Sequence, residues 1–308
     1  MNRARLWLLP ILPLCAAAPV TGATAQARET APLVLELPAS TRAAGLGNAF
    51  VLAGADNDAI FYNPGLLDTA RGLGASIALY GRAALFTLSA AAEWWRGGVG
   101  LGVQSLSFSA DAPDAGAHAL GEAGLSARGS TNASETVLSA GYARVLFGFR
   151  SGIVAKLAEQ RLPGERDVTV AADLGIARRF GIVTLGFAAQ NLGRQPELEG
   201  RDADLPVTLS LGAATQTSTV GPLDVTLAAA ASLRGEERVG ASAGIELAYW
   251  PVSGRTFIAR IGFRHVDDDG AKPLTLGAGF AGDRVLLDYA VQDFEDGEAV
   301  HRVGIRWR

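Results

Sequence analysis

Cysteine is nearly absent from this sequence: one residue of 308, Cys15, lies near the N-terminus. It falls within a short apolar run, residues 6–18, that follows Arg3 and Arg5 and precedes the small-residue pattern at 25–27. A positive start, a short apolar centre and a small-residue cleavage site are typical of a secretory signal peptide, which we assign to residues 1–27. Cleavage there leaves a chain without cysteine, which excludes disulfides and thiolate chemistry.

Long hydrophobic runs and strong charge are also missing. No later segment has the ~20 uninterrupted apolar residues of a transmembrane helix. The net charge of -4, with no basic cluster, argues against a nucleic-acid partner.

The side chains that chemistry requires are scattered. His118, His265 and His301 are too far apart for a metal site. The aspartates at 267–269 lack the remaining ligands of a calcium loop and indicate a solvated loop. No Gly-x-Ser-x-Gly motif stands between a strand and a helix. The sequence therefore predicts no catalytic residue, no cofactor, no metal site and no enzyme.

What the chain does have is glycine, 38 residues of it, and apolar side chains that alternate with small or polar ones. In 168–176, for example, Val168, Val170 and Leu174 share one face, whereas Thr169 and Asp173 share the other. Period-two alternation predicts strands with one apolar face, because neighbouring residues of a strand point to opposite sides.

About fourteen segments show this pattern. They are 73–81, 83–92, 97–108, 135–146, 148–159, 166–178, 181–191, 206–216, 222–233, 238–250, 255–265, 272–280, 284–292 and 300–307. Their links alternate between tight and longer polar connections, as in outer-membrane barrels. We predict an all-β, transmembrane antiparallel barrel of about fourteen strands over residues 73–308, with a soluble β-sandwich as the alternative.

The last segment carries an additional signal. Val303, Ile305 and Trp307 line one of its faces and two arginines the other, before Arg308 ends the chain. This resembles the terminal strand that the barrel assembly machinery recognises for insertion. Trp94, Trp95, Trp250 and Trp307 lie near strand ends, which predicts an aromatic girdle against membrane lipid.

Residues 38–68, ahead of the barrel, contain two sequence elements. The first comprises Arg42, Leu46, Gly47, Asn48, Ala49 and Phe50; the second comprises Asp56, Asp58, Phe61, Tyr62, Asn63, Pro64 and Gly65. Together they resemble the N-terminal segment of the FadL-like outer-membrane barrels, and most closely the PorV/PorQ branch. The second element has Gly65 and Leu66 where that branch has Ala-Gly-Leu, one residue more.

The resemblance implies that 38–68, within an N-terminal segment spanning 28–72, folds as a plug, or hatch, inside a fourteen-stranded barrel. Physical chemistry agrees for the second element: Asn63 can cap a turn, Pro64 fixes φ, and Gly65 lets the chain reverse in a crowded lumen.

Six charged residues fall on the mixed faces of the predicted strands. Arginine or lysine facing lipid at the midplane costs ~2–4 kcal/mol, so we expect these side chains to face the lumen. They are Arg150, Lys156, Asp173, Glu246, Arg260 and Arg264. Whether they form a structural ion network or line a substrate path stays open.

Two functions follow from the resemblance. FadL-like proteins move hydrophobic small molecules across the bacterial outer membrane. PorV-like proteins are instead non-enzymatic partners of a type IX-like protein secretion system and dock secreted proteins. Transport of hydrophobic small molecules is the first hypothesis and the docking role is the alternative; both predict an outer-membrane location.

Overall fold

The structure, a computed structural model, describes eleven stretches of the chain. They are residues 32–49, 56–81, 83–108, 133–162, 165–194, 197–198, 201–202, 204–235, 238–266, 270–294 and 297–307. The predicted signal at 1–27, Phe50, His118, the aspartates at 267–269 and Arg308 lie outside them.

Fourteen long strands make the wall of the described part of the chain. They are β1 (Gly72–Tyr80), β2 (Ala83–Trp94), β3 (Gly97–Phe108), β4 (Ala133–Leu146), β5 (Phe149–Leu162), β6 (Glu165–Phe180), β7 (Val183–Gly193), β8 (Thr208–Thr215), β9 (Leu223–Arg234), β10 (Arg238–Val252), β11 (Arg255–Val266), β12 (Ala271–Ala281), β13 (Val285–Phe294) and β14 (Ala299–Trp307). Short strands Ser218–Val220, Glu197–Leu198 and Arg201–Asp202 lie in the connections on either side of β8. No helix of these residues is both long and apolar enough to cross a bilayer.

The wall closes on itself. Each strand pairs antiparallel with the next, and β1 pairs with β14, from Leu73 opposite Trp307 to Leu79 opposite His301. A closed sheet has no edge strands and satisfies every backbone group within the wall, which suits a bilayer. Closure confirms the predicted barrel and rules out the β-sandwich.

Alternation separates the two faces of each strand. On β6, Thr169, Asp173 and Ala177 are buried inside, whereas Val170 and Leu174 are exposed outside. Large apolar side chains are exposed in this way around the outer wall, including Leu101 and Leu211, each 62% exposed. An apolar exterior of this extent is the face that a barrel presents to lipid.

The two ends of the barrel differ. At one end, the short-turn rim, residues 95–96, 147–148, 181–182, 216–222, 253–254 and 282–284 connect the strands. At the other end, the long-loop rim, the connections include 109–132 and 194–207. Trp94, Trp95, Trp250 and Trp307 are all exposed at the short-turn rim. Short turns mark the periplasmic side of outer-membrane barrels.

The N-terminal segment fills the interior. It contains the 3-10 turns Leu33–Leu35, Asn57–Phe61 and Pro64–Asp68 and the helix Thr41–Gly45. Two buried apolar clusters hold it: Leu33 and Val34 pack against wall residues at the long-loop half, and the rest of the segment packs in the other half. We call residues 32–49 and 56–70 the plug; it begins earlier than the 38 expected from the motif.

Candidate functional site: the plug and the polar lumen

The first motif element forms the middle of the plug. Ser40 caps the helix Thr41–Gly45 by accepting a hydrogen bond from the Ala43 N–H. The chain leaves this helix through Gly47, whose φ of +65° suits glycine. A Cβ on Gly47 would also lie 2.6 Å from the Phe263 carbonyl oxygen of β11. Glycine here is required both by backbone conformation and by space.

Tyr62 ties the two parts of the plug together. Its hydroxyl accepts hydrogen bonds from the N–H groups of Ala39 and Ser40, at 3.0 and 3.1 Å, and donates to Asn48 Oδ1 at 3.4 Å. Burial raises the pKa of Tyr62 to about 12. The ring therefore acts as a neutral cross-link between the two motif elements.

The second motif element seats against the wall near the short-turn rim. Asn63 Oδ1 accepts a hydrogen bond from Gly65 N–H at 3.0 Å, and its amide donates to the Ile176 carbonyl of β6 at 3.2 Å. Pro64 begins the 3-10 turn, as the capping argument expects.

Gly65 has a different role from the chain reversal expected from sequence. Its φ is not positive, and a Cβ there would lie 2.8 Å from the Arg150 carbonyl oxygen. Close approach of backbones explains this glycine. The wall also has a glycine where the plug backbone approaches it: a Cβ on Gly152 of β5 would lie 2.3 Å from the Pro64 carbonyl oxygen.

A closed ring of six alternating charges joins plug and wall. Arg42 binds Glu246 with two hydrogen bonds of 2.9 Å. Around the ring follow Glu246–Arg260 and Arg260–Asp288, each 2.6 Å, then Asp288–Arg306 at 2.7 Å, Arg306–Asp56, and Asp56–Arg42 at 3.4 Å. Three guanidiniums and three carboxylates make the ring neutral, so each buried charge has two opposite neighbours.

Two ring members, Arg42 and Asp56, belong to the plug; the other four lie on β10, β11, β13 and β14. Burial raises the pKa of Asp56, but Arg306 and Arg42 hold it below its ordinary value. The two acidic motif positions thus differ in environment, because Asp58 lies outside the ring.

Asp58 accepts a hydrogen bond from Ser89 of β2 at 2.6 Å. Burial, followed by the negative charge of Asp56, raises the pKa of Asp58 to about 6. Asp58 is therefore the plug carboxylate that titrates near neutral pH.

The six charged residues expected in the lumen all lie on inward-facing positions, in four settings. Glu246 and Arg260 are ring members. Arg150 contacts Asp68 of the plug at 3.5 Å. Arg264 lines a cavity between the plug and the wall.

The remaining pair, Lys156 and Asp173, forms a buried ion pair of 2.7 Å at a bulge in β7. Asn191, with φ of +59°, accepts from Lys156, donates its N–H to Asp173, and donates its side-chain amide to the Pro206 carbonyl. The cluster secures the connection before β8 and is structural, because its hydrogen bonds stay within the wall and that connection.

Several inward charges among the described residues were not predicted. Asp288 and Arg306 complete the ring, and buried Arg302 donates to the Tyr80 hydroxyl at 3.2 Å. Glu135 accepts the Val34 N–H at 2.7 Å, which fastens the plug near the long-loop rim. The alternation of β13 and β14 could have identified Asp288, Arg302 and Arg306, because each stands opposite the apolar face that includes Val303 and Ile305.

Val303, Ile305 and Trp307, the expected insertion signal, face outward on β14 and are 54%, 38% and 53% exposed.

The interior left open beside the plug is small. A cavity of about 80 Å³ lies between the plug and β7–β11. Its lining is largely polar: Glu36, Asn48, Gln104, Lys156, Gln190, Asn191, Ser210, Arg234 and Arg264.

A closed fourteen-stranded wall with an apolar exterior and an N-terminal plug is the fold of the FadL-like outer-membrane β-barrels. This fold indicates the bacterial outer membrane. No model of a known protein family matches the sequence, and no curated protein matches it.

Solved structures share the fold at low identity. The toluene transporter TodX of Pseudomonas putida is 12% identical, with a TM-score of 0.53 over 86% of this chain and 96% of that one. The toluene transporter TbuX of Ralstonia pickettii is 14% identical, with a TM-score of 0.52 over 86% and 97%. A FadL homologue of Pseudomonas aeruginosa is 12% identical, with a TM-score of 0.52 over 88% and 98%.

Proposed function

We propose that this protein is a non-enzymatic outer-membrane channel for small, mainly apolar molecules, with the plug as its gate. The observation that carries the proposal is the packing of the plug across the lumen in the part of the chain that the structure describes. The 80 Å³ left beside the plug is far below the ~300 Å³ at which ligand pockets begin. A molecule crosses through the lumen only when the plug moves.

The contacts of the plug support movement without loss of the wall. The plug carries two of the six ring charges, while the wall strands keep their own ladder of backbone hydrogen bonds. When Arg42 and Asp56 leave the ring with the plug, the four wall charges remain joined by three ion pairs: Glu246–Arg260, Arg260–Asp288 and Asp288–Arg306. The plug is thus the part of the lumen that can leave.

The transported class is proposed from two supports. Structures with this fold include toluene transporters and a monoaromatic hydrocarbon channel, CymD. The cavity lining includes the hydroxyl groups of Ser232 and Ser242, and it favours molecules whose apolar body carries a hydrogen-bonding group that these hydroxyls can meet.

A docking role in protein secretion is the second candidate. Kinship with the PorV/PorQ branch rests on the motif residues at 42–50 and 56–65. The observation favouring this role is the pair of exposed aromatic turn tips at the short-turn rim, where Phe147 is 99% and Trp95 71% exposed. Exposed tips of this kind are typical of surfaces that meet another protein.

Uptake by whole cells tests the channel. The probe is N-phenyl-1-naphthylamine, an apolar fluorophore with one N–H donor that an intact outer membrane holds back. Cells that produce the protein should take it up faster than cells without it. Gly152→Ala should increase uptake further, because the added Cβ overlaps the Pro64 carbonyl and unseats the plug.

Gly282→Ala is the matched control, since a Cβ there meets its nearest atom at an ordinary 3.6 Å. A heat-dependent change in electrophoretic mobility verifies that each barrel is folded. If folded wild-type and Gly152→Ala barrels give no more uptake than cells lacking the protein, the channel proposal fails and the docking role becomes the better explanation.

A further inference from the structure

Two arginines face outward near the short-turn rim. Ala143 on β4 and Ala177 on β6 are buried on the lumen side of the wall. The next residues, Arg144 and Arg178, therefore have their side chains on the lipid side. Among the described residues neither forms an ion pair, and the Arg144 Nε is buried without a hydrogen-bond partner. Two unneutralised cations therefore lie on one sector of an otherwise apolar wall.

Their height on the wall explains how they are tolerated. Each lies two residues before the end of its strand, at Leu146 and Phe180. A lipid-facing arginine costs ~2–4 kcal/mol at the bilayer midplane but only ~0–1 near the interface. Both side chains are thus at the level of lipid headgroups, in the leaflet on the short-turn side.

Aromatic rings contact Arg178, and Tyr142 lies two residues before Arg144 on the same face of β4. The Arg178 guanidinium carbon lies 4.8 Å from the centre of the Phe149 ring and 5.3 Å from that of Phe180. On the Arg144 side, Tyr142 packs edge-on against Trp94 with 6.1 Å between ring centres. Rings of this kind settle at the membrane interface, and a guanidinium over a ring keeps N–H groups free for an acceptor.

The wall toward the midplane is apolar. Ile153, Leu174 and Ile176 are exposed there on β5 and β6. From midplane to rim, the sector therefore presents an aliphatic surface, then aromatic rings, then unpaired guanidiniums. That order matches an amphiphile with acyl chains and an anionic head.

The spacing suits phosphate groups. Arg144 pairs in register with Ser151, and Ser151 with Ile176, which lies two residues before Arg178. The two arginines are therefore separated by two strand spacings, roughly 10 Å, across the sheet and by about 7 Å along it. Arginine binds phosphate with two parallel hydrogen bonds, and flexible side chains close the remaining distance.

We infer that the outer wall of β4–β6 at the short-turn rim is a binding site for anionic phospholipid, with Arg144 and Arg178 holding the headgroup phosphate. The site is independent of what crosses the lumen, since it lies on the opposite face of the wall.

Native mass spectrometry of the full-length protein in detergent tests the site. Phosphatidylglycerol and phosphatidylethanolamine with identical acyl chains are added separately. The wild type should retain phosphatidylglycerol preferentially, and Arg144→Gln with Arg178→Gln should reduce that preference by roughly tenfold. Replacing both arginines by lysine keeps the charge and should restore part of it.

Arg255→Gln is the control, because Arg255 lies at the same rim on β11, away from this sector. Heat-dependent electrophoretic mobility checks that each variant is folded. Equal retention of the two lipids by the wild type overturns the site. So does an unchanged preference in the folded double variant, or an equal loss in Arg255→Gln.

Discussion

At the scale of single residues, the ring of six charges holds the plug to the wall through the ion pairs of Arg42 and Asp56. Arg260 is its most enclosed member, with a fully buried side chain between Glu246 and Asp288. A buried charge stripped of its partner is costly because nothing replaces its hydration. The ring therefore tolerates removal of a whole segment better than removal of one member from its middle.

Replacing Arg260 by methionine should lower the free energy of unfolding by about 3–5 kcal/mol, because two buried carboxylates lose the cation between them. Urea unfolding followed by tryptophan fluorescence in detergent measures the change. Arg234→Met is the control: its partner Glu36 keeps Arg238 at 3.5 Å, so the loss should stay near ~1 kcal/mol. Equal losses in both variants would show that the ring contributes no more than a rim ion pair.

At the scale of elements, each strand has one side for lipid and one for the lumen. Leu211 on β8 is exposed to lipid, whereas its neighbour Ser210 is buried beside the polar cavity. Leu211→Asp should reduce insertion into lipid vesicles strongly, and Ser210→Asp only weakly, because an aspartate at 210 faces the cavity that Arg234 and Arg264 line. Comparable defects in a vesicle insertion assay would mean that the faces are assigned wrongly.

From alternation alone, Asp173→Arg would be the inward control for Leu174→Arg on β6, because the two neighbours face opposite sides. The structure makes that choice unsuitable, because an arginine at Asp173 would meet Lys156, which lies 2.7 Å from the present carboxylate. The strands could be predicted because period two persists along most of the length of each strand. The Lys156–Asp173–Asn191 cluster could not, because the bulge that assembles it leaves no periodic mark.

The ring was beyond sequence reasoning for a related reason. Arg42 and Glu246 are 204 residues apart, and Asp56 and Arg306 are 250 apart, so no local pattern links them. Motif matching identified Arg42 and Asp56 as plug residues without indicating their partners. Inward facing is a local property, whereas pairing depends on how the barrel closes.

The plug should respond to pH through Asp58. Its pKa is raised from 3.8 to about 6, so its contribution to the docked plug is complete below pH ~4 and is lost as the pH rises through 6. Asp56 has a lowered pKa and acts oppositely, losing its contribution on acidification below its ordinary value. Docking is consequently tightest near pH 4 and weakens as the pH rises toward 6 and above.

Hydrogen exchange of residues 56–68, corrected for the intrinsic rate, should therefore be faster at pH 8 than at pH 5.5. Asp58→Asn should abolish most of this difference, because an amide carries no charge beside Asp56 at either pH. Asp68→Asn is the comparison at the plug's other end. An Asp58→Asn protein with the wild-type pH dependence would refute the assignment.

At the scale of the whole molecule, the plug contributes no strand to the closed sheet of the wall. The β1–β14 pairing closes the barrel without any plug residue. Removing residues 32–68 should leave a barrel that inserts, while its single-channel conductance in planar bilayers rises well above that of the intact protein, because water enters the charged lumen. Asn63→Ala with Pro64→Ala should give intermediate conductance. Failure of the deleted form to insert would make the plug part of the folding core rather than a gate.

The glycines of the wall have one more consequence. A Cβ on Gly98 would overlap the Leu67 carbonyl, and one on Gly175 would lie 2.1 Å from Asn63 Oδ1. Glycine is therefore needed at Gly98 and Gly175, on strands of the wall, because the plug backbone and side chains pack directly against them. A related barrel with alanine at both could not seat the same Asn-Pro turn. Glycine positions in the strands and the turn in the plug should consequently be lost together as such barrels diverge.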